Sequence, residues 1–137
     1  MVSQNSSKDL EGLLVVTVEQ AVAAPYTSCR LADAGARVIK VERPEGDFAR
    51  NYDSNALGNS AYFVWLNRGK ESIALDLKNK EDIVVFENII SKSDILIQNL
   101  APGAFERLGL NLKELRLKYP SLITCTISGF GDNGPYK

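Results

Sequence analysis

Apolar residues recur along this chain in two alternating rhythms. LLVVTV, residues 13–18, is a continuous β-branched run, the pattern of a strand covered on both faces. From Pro25 to Gly35 the spacing becomes helical. Pro25 suits a first turn, where its missing N–H removes no bond, and Gly35 suits a C-terminal stop. RVIKVE, residues 37–42, predicts a second strand, and the stretch 43–59, broken by Pro, Gly and Asn, predicts loop. Ser60 is placed to cap a short helix, AYFVWLN, expected to pack its three aromatics inward.

SIALDL, residues 72–77, reads as a third strand. Asn79 then caps a helix with Glu81 and Asp82 in its first turn, where the helix dipole favours acids. Its apolar stripe is Ile83, Phe86, Ile89 and Ile90. DILIQ, residues 94–98, is a fourth strand, and Pro102-Gly103 opens a short helical turn through Arg107. A helix from Leu112 stops at Pro120, and LITCTI, residues 122–127, is a fifth strand that empties into SGFGDNGPYK. Strands alternating with helices in this way imply an α/β fold: a doubly wound, mostly parallel sheet wrapped on both faces. Its strand-to-helix loops share one edge, where ligands of such sheets bind.

Composition narrows the function. The chain has 137 residues, 45% of them apolar, which suits one globular domain over residues 10–137. Residues 1–9 are polar and Ser/Asn-rich, expected to form a disordered tail without a signal peptide's apolar segment. A net charge of −1 with no basic stripe argues against nucleic acid. No apolar run approaches the ~20 residues that span a bilayer, so a cytoplasmic protein is expected. There is no His, which removes His-based triads and His metal sites. Cys29 and Cys125 lack zinc or redox spacing and read as small buried hydrophobes.

Several constellations can be set against the loop edge. Glu42 ends the second strand where a dinucleotide fold holds a ribose, but the first turn, EQAVAAP, lacks the glycines that admit a pyrophosphate. No P-loop occurs. Asp47 and Asp53 read as solvated loop charges, since nothing in the sequence fixes their separation. Arg43, Lys78 and Arg107 follow the second, third and fourth strands and can converge on the edge. Spacing alone leaves two readings for them, a phosphate grip or solvated surface charges. The glycine-rich segment of Gly129, Gly131 and Gly134 can approach a ligand closely, and the apolar AVAAP turn suits a flat apolar moiety beside phosphates. An adenine nucleotide or coenzyme A has that composition.

Taken in order, LEGLLVVTVEQAVAAPYTSCRLADAGARVIKVERPEGDFAR, FVWLNRGKESIALDLK, DILIQNLAPGAFERLGL and LITCTISGFGDNGPY resemble the N-terminal portion of family III coenzyme A transferases. That superfamily includes formyl-CoA transferase, carnitine-CoA transferase and α-methylacyl-CoA racemase. The resemblance implies a Rossmann-like large domain, of which this chain is the N-terminal part, in homodimers whose subunits interlock. It implies acyl-CoA and a carboxylic acid, of dicarboxylate type, as substrates, with no permanently bound cofactor and no metal. Its coenzyme A contacts fall on Ala21 and Val22, on Arg43, and on Leu75, Asp76, Leu77 and Lys78. They continue at Asn99, Leu100, Ala101 and Arg107, and in the turn of Ser128, Gly129, Phe130 and Gly131.

Where the family's first turn ends Ala-Gly-Pro, this chain has Ala23-Ala24-Pro25, which places the backbone slightly farther from coenzyme A. The family's nucleophile is an aspartate beyond the block that matches SGFGDNGPY. Neither Asp132 nor another aspartate of this sequence matches it, so no catalytic residue is assigned in this chain. Two alternatives accompany the transferase reading: a racemase-like enzyme, and a non-catalytic or truncated coenzyme A-binding module.

Overall fold

A computed structural model describes residues 8–131 and 133–136. Asp132 and most of the expected N-terminal tail therefore lie outside the described residues, whereas Leu10 already donates its N–H to the Ala34 carbonyl. The chain runs β1 (Leu14–Val18), α1 (Ala23–Asp33), β2 (Arg37–Glu42), a 3₁₀ turn (Phe48–Asn51), α2 (Ala61–Asn67) and β3 (Lys70–Ala74). It continues through α3 (Lys80–Ile90), β4 (Ile95–Gln98), α4 (Ala104–Arg107), α5 (Leu112–Lys118) and β5 (Ile123–Thr126).

The strands form one sheet in the order β3-β2-β1-β4-β5. Every pairing is parallel, with Val16 opposite Ile39 on one side and Leu96 on the other. A parallel pair needs a crossover, and the helices supply it on both faces. Toward α1 lies a cluster of Val15, Ala24, Ala36, Val38 and Ile97. Toward α3, α4 and α5 lies the larger cluster, with Val16, Val41, Phe86, Ile90, Phe105 and Leu115. Successive residues of β1 thus feed opposite cores, which is why its run reads as continuously apolar.

Local signals account for most boundaries. Asn79 accepts from Glu81 N–H at 2.9 Å, Ser60 from Phe63 N–H at 3.2 Å, and Asn111 from Lys113 N–H at 2.9 Å, so each of these helices starts on a side-chain cap. Gly35, at φ +106°, turns the chain out of α1.

Three expectations are corrected. β3 spans Lys70–Ala74, two residues earlier than SIALDL suggests, because Lys70 and Glu71 pair in register with Val38 and Ile39 while Leu75 and Leu77 turn into the core beyond it. The loop after β2 contains the 3₁₀ turn, capped by Asp47, which accepts from Ala49 N–H. The aromatics of α2 do not all point inward. Leu66 is the buried residue, whereas Tyr62 and Trp65 are half-exposed and continue a run of ring contacts to Tyr26, Tyr52 and Phe48. Cys29 is buried as expected, and Cys125 is only partly so.

Candidate coenzyme-binding edge

All strands being parallel, their carboxyl ends emerge together, and among the described residues three hollows open there, one of about 410 Å³ between Gln98, Pro102, Phe105 and Thr126 and two that flank the first turn. Of these two, the first, about 470 Å³, lies between Glu19 and Gln20 after β1, the Arg43–Asp47 segment after β2, and the segment 75–78 after β3. Val18, Val41 and Leu100 give it an apolar lining. The second, about 400 Å³, is bounded by Ala23, the segment 99–102 after β4 and the segment 127–131 after β5. Leu100 lines both, so the hollows adjoin beside the junction of β1 and β4. There the crossovers diverge, leaving a crevice that open α/β sheets use for ligands.

Arg43, Leu75, Asp76, Leu77, Lys78 and Leu100 therefore line the first hollow. Asn99, Ala101, Ser128, Gly129, Phe130 and Gly131 line the second. Val22 is partly exposed at the start of α1, and Ala21 is held just before it. Arg107 lies on α4, donating weakly to the Pro102 carbonyl at 3.4 Å, and its guanidinium stands 3.1 Å from where a Cβ on Gly103 would lie. A side chain on Gly103, at φ +71°, would be strained and would crowd Arg107.

The cations of this edge divide into two groups. Arg50 is committed to Glu42 by two bonds, of 2.7 and 2.9 Å, and stacks 3.9 Å over the Phe63 ring. Among the described residues, Arg43, Lys78 and Arg107 have no carboxylate partner. Arg43 uses only Nε, on the Gly46 carbonyl at 2.9 Å. Arg43 and Lys78, both lining the first hollow without a carboxylate partner among the described residues, favour an anionic ligand with an apolar portion, whereas Arg107, on α4, lines neither hollow.

Other nominated residues act through the backbone. Asn99 accepts from Gln20 N–H and donates to the Gln20 carbonyl, both at 2.9 Å, so its amide stitches the first turn to the loop after β4. Ser128 accepts from Gly131 N–H at 3.0 Å and closes the last turn. Ala24 is fully buried in the α1-side cluster.

Two acids are committed inside the protein, Glu42 in keeping with the rejected dinucleotide reading and Asp47 as a correction. Glu42 does not present itself to a ribose: Arg50, the Ser72 hydroxyl at 2.7 Å and Asp47 N–H at 3.0 Å occupy its carboxylate. Burial alone would raise its pKa, but these donors outweigh burial and hold it at about 2. Asp47 is not a solvated loop charge, since its side chain is fully buried against Lys40 at 2.7 Å. Asp53 caps α2's approach, accepting from Ala61 N–H at 2.8 Å.

A second buried pair joins Lys70 to Glu19 at 2.7 Å, and burial lowers the Lys70 pKa despite that partner. Composition and spacing did not bring out these lysines. The available signal was a charge flanked by Ile39 and Val41 in a strand expected to be covered on both faces.

The depressed Glu42 carboxyl carries a pH dependence. Its stabilisation is complete above the ordinary carboxylate pKa of 4.5 and is lost as pH falls toward about 2. Allowing for the half-exposed Arg50, the loss is on the order of 2 kcal/mol. Urea midpoints measured between pH 5 and 2 should fall less steeply in Glu42→Gln than in the parent; parallel curves would exclude this origin.

Comparison with known proteins agrees with the geometry. The model of CoA-transferase family III matches residues 10–137. The chain is 43% identical to acetyl-CoA:oxalate CoA-transferase of Acetobacter aceti, over 91% of this chain and 32% of that protein. It is 34% identical to human succinyl-CoA:glutarate CoA-transferase, over 96% of this chain and 30% of that one. A solved CAIB/BAIF family protein of Brucella suis superposes with a TM-score of 0.87 at 38% identity, over 95% of this chain and 36% of its own. The chain thus spans about a third of the length of the curated relatives it matches.

Proposed function

The chain belongs to CoA-transferase family III, and from that premise we propose that it holds the coenzyme A portion of an acyl-CoA while a carboxylic acid exchanges on the thioester. The observation that carries this reading is that Arg43 and Lys78, which have no carboxylate partner among the described residues, line the first, partly apolar hollow; Arg107, likewise unpaired but outside that lining, is proposed as a third contact. Guanidinium groups grip phosphate oxygens in pairs of parallel bonds, and the apolar linings suit adenine and the pantetheine arm. The dicarboxylates named in relatives, oxalate and glutarate among them, make a dicarboxylate the proposed acceptor.

In this mechanism a carboxylate attacks the thioester carbon, the C–S bond breaks, and coenzyme A leaves as thiolate beside an acyl anhydride. The acceptor carboxylate attacks the other carbonyl of the anhydride and the donor acid leaves as its carboxylate; the thiolate then attacks the acceptor's acyl carbon, forming the new thioester and releasing the first carboxylate. No aspartate of residues 1–137 is assigned to the nucleophilic step. The part proposed for this chain is to anchor the nucleotide, so that binding energy remote from the reacting carbon positions the thioester.

Calorimetric titration of coenzyme A into the chain tests the anchor. Arg43→Ala or Arg107→Ala should weaken binding by roughly 1.5–3 kcal/mol, the scale of a charge-assisted hydrogen bond. Unchanged affinity removes that residue from the site. Thioester exchange between succinyl-CoA and a dicarboxylate reads the transfer step separately, and retained coenzyme A binding without exchange assigns the chain a holding role alone.

A further inference from the structure

Asp47 and Glu19 are among the residues that line the first hollow, yet both side chains are wholly buried, each on a lysine ammonium. Asp47 Oδ2 accepts from Lys40 Nζ at 2.7 Å, and Lys40 also donates to Asn67 Oδ1 at 3.0 Å. The same Asn67 oxygen accepts from Lys70 Nζ at 3.1 Å, and Lys70 donates to Glu19 Oε1 at 2.7 Å. Asp47 Oδ1 meanwhile accepts from Ala21 N–H at 3.2 Å. The contacts close on themselves: they leave the first turn at Glu19, cross β3, α2 and β2, and return to the same turn two residues later.

The residue gripped at the end is backbone-strained. Ala21 has φ +64°, a left-handed conformation that an alanine rarely adopts. Such a conformation persists where its surroundings over-determine it.

We propose that this buried ring makes Asp47 a positioning residue that presets the Ala21–Val22 turn for coenzyme A. The inference rests on the coenzyme A reading of this edge and adds to it how the turn is shaped before the ligand arrives. A preset turn binds without first being ordered, which raises affinity with no additional contact. Because Asn67 joins two ammonium groups, it ties the Lys40 and Lys70 halves together, and neither half alone spans the turn from both ends.

The test separates shape from stability. Asp47→Asn should weaken coenzyme A binding about five- to ten-fold, since its amide N–H₂ faces the Lys40 ammonium and the grip on Ala21 N–H loosens. Adding Ala21→Gly should restore most of that loss, because glycine enters the left-handed region without strain. A purely structural role for Asp47 predicts no such rescue.

Asn67→Ala offers a route that leaves both buried ion pairs intact should Asp47→Asn fail to fold. It should weaken binding two- to five-fold and be rescued by the same glycine. Full affinity in the folded single variants, or a loss that Ala21→Gly does not repair, overturns the positioning role while the coenzyme A reading stands. A folded parent chain that does not bind coenzyme A overturns both.

Discussion

Replacing Lys40 by Met should lower the stability of the fold by about 3–5 kcal/mol, the cost of leaving a buried carboxylate without its countercharge. The methylenes of Lys40 and of Met fill similar space, so the effect isolates the charge. Lys40 and Asp47 are 1% and 0% exposed, so water cannot replace the missing ammonium. Asp47 would retain Ala21 N–H and Ala49 N–H but lose its 2.7 Å partner. Lys118→Met is the matched control. Its pair with Glu87 is 55% and 38% exposed, and its removal should scarcely move the urea midpoint. Equal behaviour of the two variants would mean that the Lys40 site is wetter than its burial indicates.

Phe86→Ala should cost about 3–5 kcal/mol as well, through lost transfer energy and the cavity left behind. Phe86 is fully buried on α3 and meets Phe105 of α4 edge-on, at 6.3 Å between ring centroids and 72° between planes. This contact helps seat the short helix that carries Arg107. A second effect is therefore expected: coenzyme A affinity should fall more in Phe86→Ala than in an equally destabilised variant on the α1 side. Urea unfolding reads the first effect and calorimetry at a temperature well below the melting transition the second. A stability loss with no affinity loss would show that Arg107 is placed without α4's packing.

Much of the architecture was legible in the chain because its signals are local. The β-branched runs, the caps at Ser60 and Asn79 and the stop at Gly35 each act within a few residues, and the structure places helices and strands where they indicate. The third strand slipped because SIALDL is the more apolar segment, whereas pairing with β2 selects Lys70 to Ala74. The exposed aromatics of α2 misled for a related reason: ring size says how much area is available to bury, and packing against α1 decides which residue uses it.

At the candidate site, the convergence of Arg43, Lys78 and the loop after β4 followed from a rule of parallel sheets. The division of labour among the charges did not. Glu42, Asp47 and Arg50 look alike in ERPEGDFAR, yet two are buried acceptors and one a stacked, paired cation.

The amino-acid sequence by itself determined the alternation of elements, the parallel sheet it requires and the family. Those properties reside in periodicity, capping residues and ordered motifs. Only the tertiary structure decided which charges are consumed internally and which remain available. Partners such as Glu19 with Lys70 stand 51 positions apart and meet across two crossovers. The strength of an ion pair depends on distance and on exclusion of water, and neither exists until the chain has folded.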